Sequence, residues 1–252
     1  MTSVAESGPR QGRGVGGERV AVRLLWAVFA GLCVFYSVFA FNYFISFSTG
    51  QPIWWNHFMA ALLSEQYAFG PGSVHMDQAV PYSAGLLFLL VHTTMGAVCL
   101  AIGPFQFSSR IRQRYPAYHR AAGKVYLTSV TLSMVAGLAY LSQTPAADVF
   151  SGAPFAIGLW GLDFMVLLTA YLAYAAIRKR DVVRHQAWMA FNLSLIFATP
   201  MLRIFWVVFG WTLPSFNQAE ANIGIMTYLL PFCLLGGMIW FSVQHGGRKA
   251  AA

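Results

Sequence analysis

Long apolar runs alternate with short polar stretches along most of the chain, and this pattern predicts membrane-spanning helices. A bilayer core of about 30 Å requires roughly 20 apolar residues in a helix. Segments of that length cover residues 21–45, 83–107, 123–142, 154–177, 187–211 and 223–243. The pattern therefore predicts an all-α integral membrane protein with six transmembrane helices, which together form one membrane domain over residues 21–243.

The polar stretches predict how this membrane domain is bounded. Residues 1–20 are rich in Gly, Ser, Arg and Glu, which is typical of a disordered tail, and residues 244–252 form a second, shorter tail. The connection 46–82 is the only long one, and its aromatic stretch predicts a short helix in the membrane interface. Pro200 and Pro231 fall inside spans 5 and 6, where each should kink its helix or free a carbonyl.

Composition supports the membrane assignment and excludes a nucleic-acid partner. The chain is 58% hydrophobic and only 10% charged, whereas soluble proteins carry about 25% charged residues. A net charge of +8 would suit nucleic acid, but the basic residues form short clusters between spans instead of covering a folded surface. Cys33, Cys99 and Cys233 all fall inside spans, so they are expected to be small packing residues.

The basic residues predict how the protein is oriented in the membrane. They precede span 1 or belong to the connections that follow spans 2, 4 and 6, as Arg10, Arg13, Arg19, Arg23, Arg110, Arg112, Arg114, Arg120, Lys124, Arg178, Lys179, Arg180, Arg184, Arg248 and Lys249. The connections on the opposite side contain no Lys or Arg. Because positive loops stay in the cytoplasm, both termini are predicted to be cytoplasmic in a multi-pass protein of the plasma membrane.

Two of the basic connections share one spacing. Arg112, Arg114 and His119 are offset by 66 residues from Arg178, Arg180 and His185. Spans 2–3 and 4–5 could therefore be a parallel repeat, that is, two helix hairpins of equal orientation. The alternative is a chance match between two arginine-rich loops.

His119 and His185 each open a span from the cytoplasmic side, so their imidazoles should lie at matched depth on different helices. Two such histidines are what a six-coordinate b-type haem needs inside a helix bundle, and the neighbouring Arg120 and Arg184 could contact its propionates or another anion. A divalent-metal site is not predicted, because no carboxylate or cysteine cluster accompanies the pair. The alternative is a pair of interfacial histidines that snorkel toward lipid headgroups or cap their helices.

A second group of polar residues lies deep inside the predicted spans. His92, Asp163 and Arg203 each lie about nine or ten residues from the outer end of their span, which is roughly 13–15 Å deep. Because isolated charges near the midplane are costly, Asp163 and Arg203 are predicted to form an ion pair. This pair could be structural, or it could line an outward-facing pocket in which Asp163 or His92 transfers protons and Arg203 holds an anion. Residues that could assist are Tyr82, Asn192, Thr199 and Tyr228.

Several stretches together resemble one known family. They are VHTTMG around His92, GPFQF at the end of span 2, RQRYPAYHRAAGKVY before span 3 and RHQAWM at the start of span 5. This combination, within residues 83–210, resembles the bacterial membrane-protein family called domain of unknown function 2306. The resemblance implies a multi-span bacterial membrane protein and brings no established activity with it.

The sequence leaves several functions open. A redox protein with one b-type haem between His119 and His185 ranks first, because the two histidines match in depth and spacing. A small transporter using His92, Asp163 and Arg203 is the next candidate, and its few spans would favour a homodimer. An enzyme on a lipid-like substrate, with Asp163 as general acid, and a non-catalytic accessory subunit are further alternatives. No phosphate-binding loop, dinucleotide fingerprint or hydrolase signature indicates a substrate.

Overall fold

The computed structural model describes residues 14–51 and 53–249, with side chains described from residue 20 onward except at 52, 223–230, 232 and 243–249. Within this part of the chain the secondary structure is α-helical, without strands, as the apolar pattern predicts. The helices are α1 (Gly14–Thr49), α2 (Trp54–Leu62), α3 (Glu65–Phe69), α4 (Val74–Asp77), α5 (Ala79–Ala84), α6 (Leu86–Gln106), α7 (Ser109–Arg114), α8 (Pro116–Gln143), α9 (Ala153–Arg178), α10 (Val182–Ile196), α11 (Ala198–Thr212) and α12 (Gln218–Lys249).

Five helical stretches are long and apolar enough to cross a membrane, and they coincide with the first five predicted spans. They are Val20–Thr49, Leu86–Gln106, Pro116–Gln143, Ala153–Arg178 and Val182–Thr212. The sixth predicted span falls within α12, whose described apolar stretch is Cys233–Ser242. The protein is therefore a multi-pass membrane protein, and the sixth crossing stays a prediction.

The two ends of the membrane domain differ from the predicted boundaries. α1 already begins at Gly14, inside the stretch 1–20 that was expected to be a disordered tail, while residues 1–13 lie outside the described part. At the other end α12 continues to Lys249, so most of the predicted tail 244–252 is helical and only 250–252 fall outside the description. In both cases the helix extends past the apolar run into a charged sequence.

The fifth span is broken where its proline predicts. α10 ends at Ile196 and α11 begins at Ala198, with Phe197 in a turn between them. Pro200 has no backbone N–H, and a proline ring clashes with the carbonyl four residues earlier, here that of Ile196. By contrast, α12 runs through Pro231 without interruption. The break is short, because Phe197 keeps a helical conformation (φ −69°, ψ −9°) and its carbonyl still accepts a hydrogen bond from the Met201 N–H at 3.0 Å.

Four short helices, α2 to α5, replace the single interfacial helix predicted in the connection 46–82. Buried polar groups fasten them to the long helices: the Gln218 side chain accepts a hydrogen bond from the Val74 N–H and donates one to the Tyr67 carbonyl. The Tyr67 hydroxyl donates to the Trp206 carbonyl at 2.8 Å, and burial raises the pKa of Tyr67 to about 12. The Tyr67 hydrogen bond joins α3 to α11.

Small side chains let the long helices pack closely. Cys33, Cys99 and Cys233 are all buried and free, which confirms that they are packing residues. Gly237 lies against α10, where an added Cβ would be 3.1 Å from the Cα of Phe191. Close contacts between small residues are the usual way for helices to associate within a membrane.

Asn192 joins three helices through a buried polar network. Its Oδ1 accepts from the Tyr126 hydroxyl of α8 at 2.8 Å, and its Nδ2 donates to the Val166 carbonyl and the Thr169 hydroxyl of α9 at 2.8 and 2.9 Å. Asn192 is fully buried. Its side chain therefore links α8, α9 and α10 instead of assisting at a pocket, as the sequence had suggested.

Replacing Asn192 with alanine is expected to destabilise the bundle, because the Tyr126 and Thr169 hydroxyls lose their buried partner. Interhelical hydrogen bonds in membranes contribute about 1–2 kcal/mol, so the Tm of the purified protein should fall by about 4 °C. Ser142→Ala is the matched control, because the exposed Ser142 hydroxyl bonds only to a carbonyl of its own helix. An equal Tm for both variants would contradict a structural role for Asn192.

Candidate functional site

A cavity inside the bundle brings the three predicted intramembrane residues together. It has a volume of about 200 Å³, and its lining includes His92 from α6, Asp163 from α9 and Arg203 from α11. Aromatic side chains form much of the remaining wall: Tyr36, Tyr43, Tyr82, Tyr140, Phe150, Phe155 and Trp206. Enclosed, mainly apolar cavities with a few convergent polar groups are the usual form of small-molecule sites.

Arg203 is buried and held by neutral groups. Its Nε donates to the Tyr36 hydroxyl at 3.1 Å and its Nη2 to the Tyr43 hydroxyl at 3.2 Å, both on α1. The guanidinium carbon stands 4.0 Å from the centre of the Trp206 ring. These contacts use two of the five N–H donors of the guanidinium, and Nη1 makes no hydrogen bond to a described residue.

The predicted ion pair between Asp163 and Arg203 is absent. Within the described residues the only carboxylate within 4 Å of an arginine or lysine nitrogen is that of Asp181, beside Arg184. The prediction rested on matched depth, but depth does not determine which way a side chain points around its helix axis. Arg203 turns to the hydroxyls of α1, and both charged residues face the cavity without contacting each other.

His92 and Asp163 lie beside each other on another part of the wall. A Cβ on Gly137 would be 2.6 Å from Asp163 Oδ2 and 2.9 Å from His92 Nδ1, so these two atoms are within about 5.5 Å of each other. His92 Nδ1 lies 2.9 Å from the Ser133 carbonyl oxygen. Because a carbonyl oxygen only accepts hydrogen bonds, the proton of the neutral His92 ring is placed on Nδ1. His92 Nε2 and both Asp163 oxygens make no hydrogen bond in the described structure, so they are available to a ligand, water or proton.

Gly137 on α8 gives His92 and Asp163 the space they occupy. Gly→Ala within a helix normally adds stability of about 1 kcal/mol, but here the new methyl group would overlap both side chains. We therefore expect Gly137→Ala to lower the Tm. Gly161→Ala on α9 is the control, because a Cβ there meets nothing within 4 Å, and its Tm should rise or stay unchanged. Equal shifts for the two variants would contradict the close packing at Gly137.

The sequence analysis did not predict part of the cavity wall. It also suggested Asn192 for the pocket, whereas Asn192 lies in the core network. Tyr36 and Tyr43 were not predicted, although their spacing of seven residues places both on one face of α1. Tyr82 and Thr199 line the cavity as suggested, and burial raises the pKa of Tyr82 well above its usual range, so its hydroxyl stays protonated. The Tyr228 side chain lies outside the described residues.

His119 and His185 lie at one end of the bundle, away from this cavity. Each histidine is the fourth residue of its helix, His119 in α8 and His185 in α10, and neither lines the cavity. His185 Nδ1 lies 3.0 Å from the Ala173 carbonyl, whereas His119 Nδ1 is buried without a partner.

The arginines beside these histidines, Arg120 and Arg184, are both exposed. Arg184 pairs with Asp181 at 3.3 Å on the surface. Among the described residues, no group of three His, Cys, Asp or Glu side chains could hold a metal ion. The acidic residue nearest to either histidine along the chain is Asp181, which precedes α10 and pairs with Arg184.

A second cavity of about 280 Å³ is almost wholly apolar. It lies between α1, α10 and α12, where the Trp26 and Trp240 rings stack with their centres 4.8 Å apart. No charged side chain lines it. Of these two cavities, only the first has charged side chains on its wall.

Comparison with known proteins places the chain in one family and gives it no characterised relative. No curated protein and no solved structure matches the chain. Residues 89–240 match the family described as Predicted membrane protein (DUF2306). This match covers more than half of the 252 residues and includes His92, Asp163 and Arg203. The chain therefore belongs to the DUF2306 family of predicted membrane proteins.

Proposed function

We propose that this protein is a proton-linked transporter of small organic anions, with its substrate site in the cavity around Arg203. The observation that carries the proposal is a buried arginine on the wall of a mainly apolar cavity, with no anion beside it among the described residues. This changes the order of the candidate functions, since the sequence had placed a redox protein first.

The charge of Arg203 supports an anionic ligand. A cation buried at membrane depth is costly, and pairing with an anion is the usual way to offset that cost. The hydroxyl groups of Tyr36 and Tyr43 and the ring face of Trp206 stabilise the Arg203 guanidinium. None of these groups supplies a negative charge. A carboxylate or similar group of a ligand would complete the pairing, and Nη1 is free to donate to it.

Asp163 and His92 support the exchange of protons. Asp163 is 5% exposed, and no described lysine or arginine lies within 4 Å of its carboxylate. His92 offers an unbonded Nε2 within the same cavity. When a substrate anion and a proton enter the cavity together, Asp163 takes up the proton, and the net charge that crosses the membrane is reduced.

The proposed topology follows from the basic connections. In this topology the chain crosses the plasma membrane six times with both termini in the cytoplasm, and spans 2–3 and 4–5 form a parallel repeat. Helices α2 to α5 then lie outside, where Val74 and Tyr82 contribute to the cavity wall. A homodimer is the proposed assembly, because six spans form a small transporter.

Uptake into proteoliposomes tests the proposal. The probes are benzenesulfonate and hexanesulfonate, which remain ionised and so do not cross lipid as neutral acids. With a more acidic exterior, we expect vesicles containing the protein to accumulate at least one probe at least tenfold above empty vesicles. A protonophore that collapses the pH gradient should abolish the accumulation. Uptake of neither probe, or uptake unaffected by the gradient, would contradict proton-linked anion transport.

A single b-type haem between His119 and His185 is the second candidate. The hydrogen bond from His185 Nδ1 to a backbone carbonyl leaves Nε2 as the free ligand atom, which is the arrangement typical of metal-bound histidines. The buried, partnerless Nδ1 of His119 also lacks an explanation within the described structure. A bound haem would supply one-electron chemistry.

An absorption spectrum decides whether a haem binds. Protein expressed with ample haem should show a Soret band that disappears in the His119→Ala/His185→Ala double variant. The control is the single variant His57→Ala, because His57 is an exposed residue of α2. This variant should keep the Soret band. A colourless wild-type protein would remove this candidate.

A further inference from the structure

We propose that the ligand of this cavity is a compact aromatic monoanion, such as an aryl carboxylate or aryl sulfonate. This inference rests on the proposed anion site at Arg203 and adds the size, the charge and the shape of the substrate. Three observations carry it: the volume of the cavity, the distribution of charge on its wall and the arrangement of its aromatic rings.

The volume fits a ligand of about one ring. The cavity holds about 200 Å³, and an apolar protein cavity of about 150 Å³ accommodates one benzene molecule. The remaining space is sufficient for one small charged group on that ring. Fused ring systems, long acyl chains and nucleotides would have to extend beyond this volume.

The charge distribution allows one negative group. Among the described residues, Arg203 is the only lysine or arginine on the cavity wall. Because the hydroxyls of Tyr36 and Tyr43 accept hydrogen bonds from Arg203, their own protons remain to be donated, and no acceptor within the described residues takes them. The guanidinium Nη1 and these two hydroxyls therefore offer three donors, from residues that line the cavity, to one anionic group.

A second negative group on the ligand would find no cation. Asp163 is the one acidic residue in the described part of the wall. It would repel a second negative group if ionised and would offer a single donor at most if protonated. Beyond these side chains the wall is mainly apolar, and burying a charge there is unfavourable. The cavity therefore discriminates against dianions.

The rings on the wall fit an aromatic body. Phe150 meets Trp206 edge to face, with centroids 5.7 Å apart at an interplanar angle of 74°, and it meets Phe155 at 6.3 Å and 89°. Tyr82 and Tyr140 form a further edge-to-face pair at 6.1 Å. A planar ligand ring can join such clusters through offset or edge contacts. These contacts should favour an aryl anion roughly tenfold over an alkyl anion of equal carbon number.

Equilibrium binding to the full-length protein in lipid nanodiscs tests this inference. The probes are benzenesulfonate, hexanesulfonate with the same number of carbons, benzene-1,3-disulfonate and the neutral benzenesulfonamide. We expect benzenesulfonate to bind roughly tenfold tighter than hexanesulfonate. The disulfonate and the sulfonamide should each bind at least roughly 30-fold more weakly than benzenesulfonate.

Each outcome separates this inference from the proposed function. If hexanesulfonate binds as tightly as benzenesulfonate, the aromatic substrate class is wrong while the anion site stands. Tightest binding by the disulfonate would overturn the single-charge assignment. If none of the three anions binds, the proposed function itself fails.

Two conservative variants test these three donors without removing the buried charge. Tyr36→Phe and Tyr43→Phe should each weaken benzenesulfonate binding roughly threefold to tenfold, because each removes one hydroxyl donor. Tyr171→Phe is the control, because Tyr171 is 66% exposed on α9, and its affinity should equal that of the wild type. Unchanged affinity in both variants would overturn the role given to the hydroxyls.

Discussion

Replacing Arg203 with glutamine is expected to weaken the binding of benzenesulfonate by roughly 100-fold. The substitution removes the one permanent positive charge on the cavity wall, and loss of one member of a buried charge pair costs about 2–5 kcal/mol. A cost of about 2.8 kcal/mol corresponds to a factor of about 100 in the dissociation constant. Equilibrium binding in nanodiscs measures this factor.

Two control variants separate loss of the site from loss of the fold. Arg203→Lys keeps the charge but loses the planar stack on Trp206, so binding should fall by a smaller factor. Arg178→Gln removes an exposed charge at the end of α9 and should not change the affinity. If Arg203→Gln elutes as the wild type does in size-exclusion chromatography and still binds benzenesulfonate equally well, Arg203 does not hold the anion.

Asp163→Asn should abolish the accumulation driven by the pH gradient while preserving binding. In the proposed cycle Asp163 takes up the proton that accompanies the anion, and asparagine does not titrate. With one proton per anion, a gradient of two pH units drives the wild type toward a roughly 100-fold concentration ratio. The variant should approach equal concentrations inside and outside. Uptake of the accepted probe into proteoliposomes measures both ratios.

The matched control for this prediction is Asp148→Asn. Asp148 is an exposed acidic residue between α8 and α9, and its replacement should leave the accumulation ratio unchanged. Exchange of external for internal probe should survive in Asp163→Asn, because that exchange needs no net movement of protons. Full gradient-driven accumulation by Asp163→Asn would show that another group carries the proton.

Much of the fold could be predicted from hydropathy. The meeting of the three polar residues in one cavity could be predicted from their depth within the spans. Five of the predicted spans coincide with long apolar helices, because the bilayer thickness sets both the length and the apolar character of a span. His92, Asp163 and Arg203 were placed together because each lies at a similar distance from the end of its span, and all three line one cavity.

The contacts within the site could not be predicted, because depth gives no rotation about the helix axis. Arg203 bonds to tyrosines more than 150 residues earlier in the chain, and no local pattern links them. Asn192 and Thr199 are seven residues apart and would share one face of a continuous helix. In the structure Thr199 lines the cavity while Asn192 joins the core network, so this spacing alone did not place both at one site.

The short helices between α1 and α6 had a local signal that the sequence analysis missed. The hydroxyls of Ser64 and Ser73 accept hydrogen bonds from the backbone N–H groups of Tyr67 and Met76, and so begin α3 and α4. Serine at such a position is a common helix start. Hydropathy alone treats this segment as a loop, because each of its helices is too short to cross a bilayer.

Anomalous diffraction from crystals grown with 4-bromobenzenesulfonate would test the anion site most directly. The predicted result is a bromine peak inside the cavity, with the sulfonate oxygens within hydrogen-bonding distance of Arg203 Nη1 and the hydroxyls of Tyr36 and Tyr43. A structure in which the Asp163 carboxylate bridges Arg203, with the bromine peak only in the apolar cavity beside Trp26 and Trp240, would contradict the proposed site.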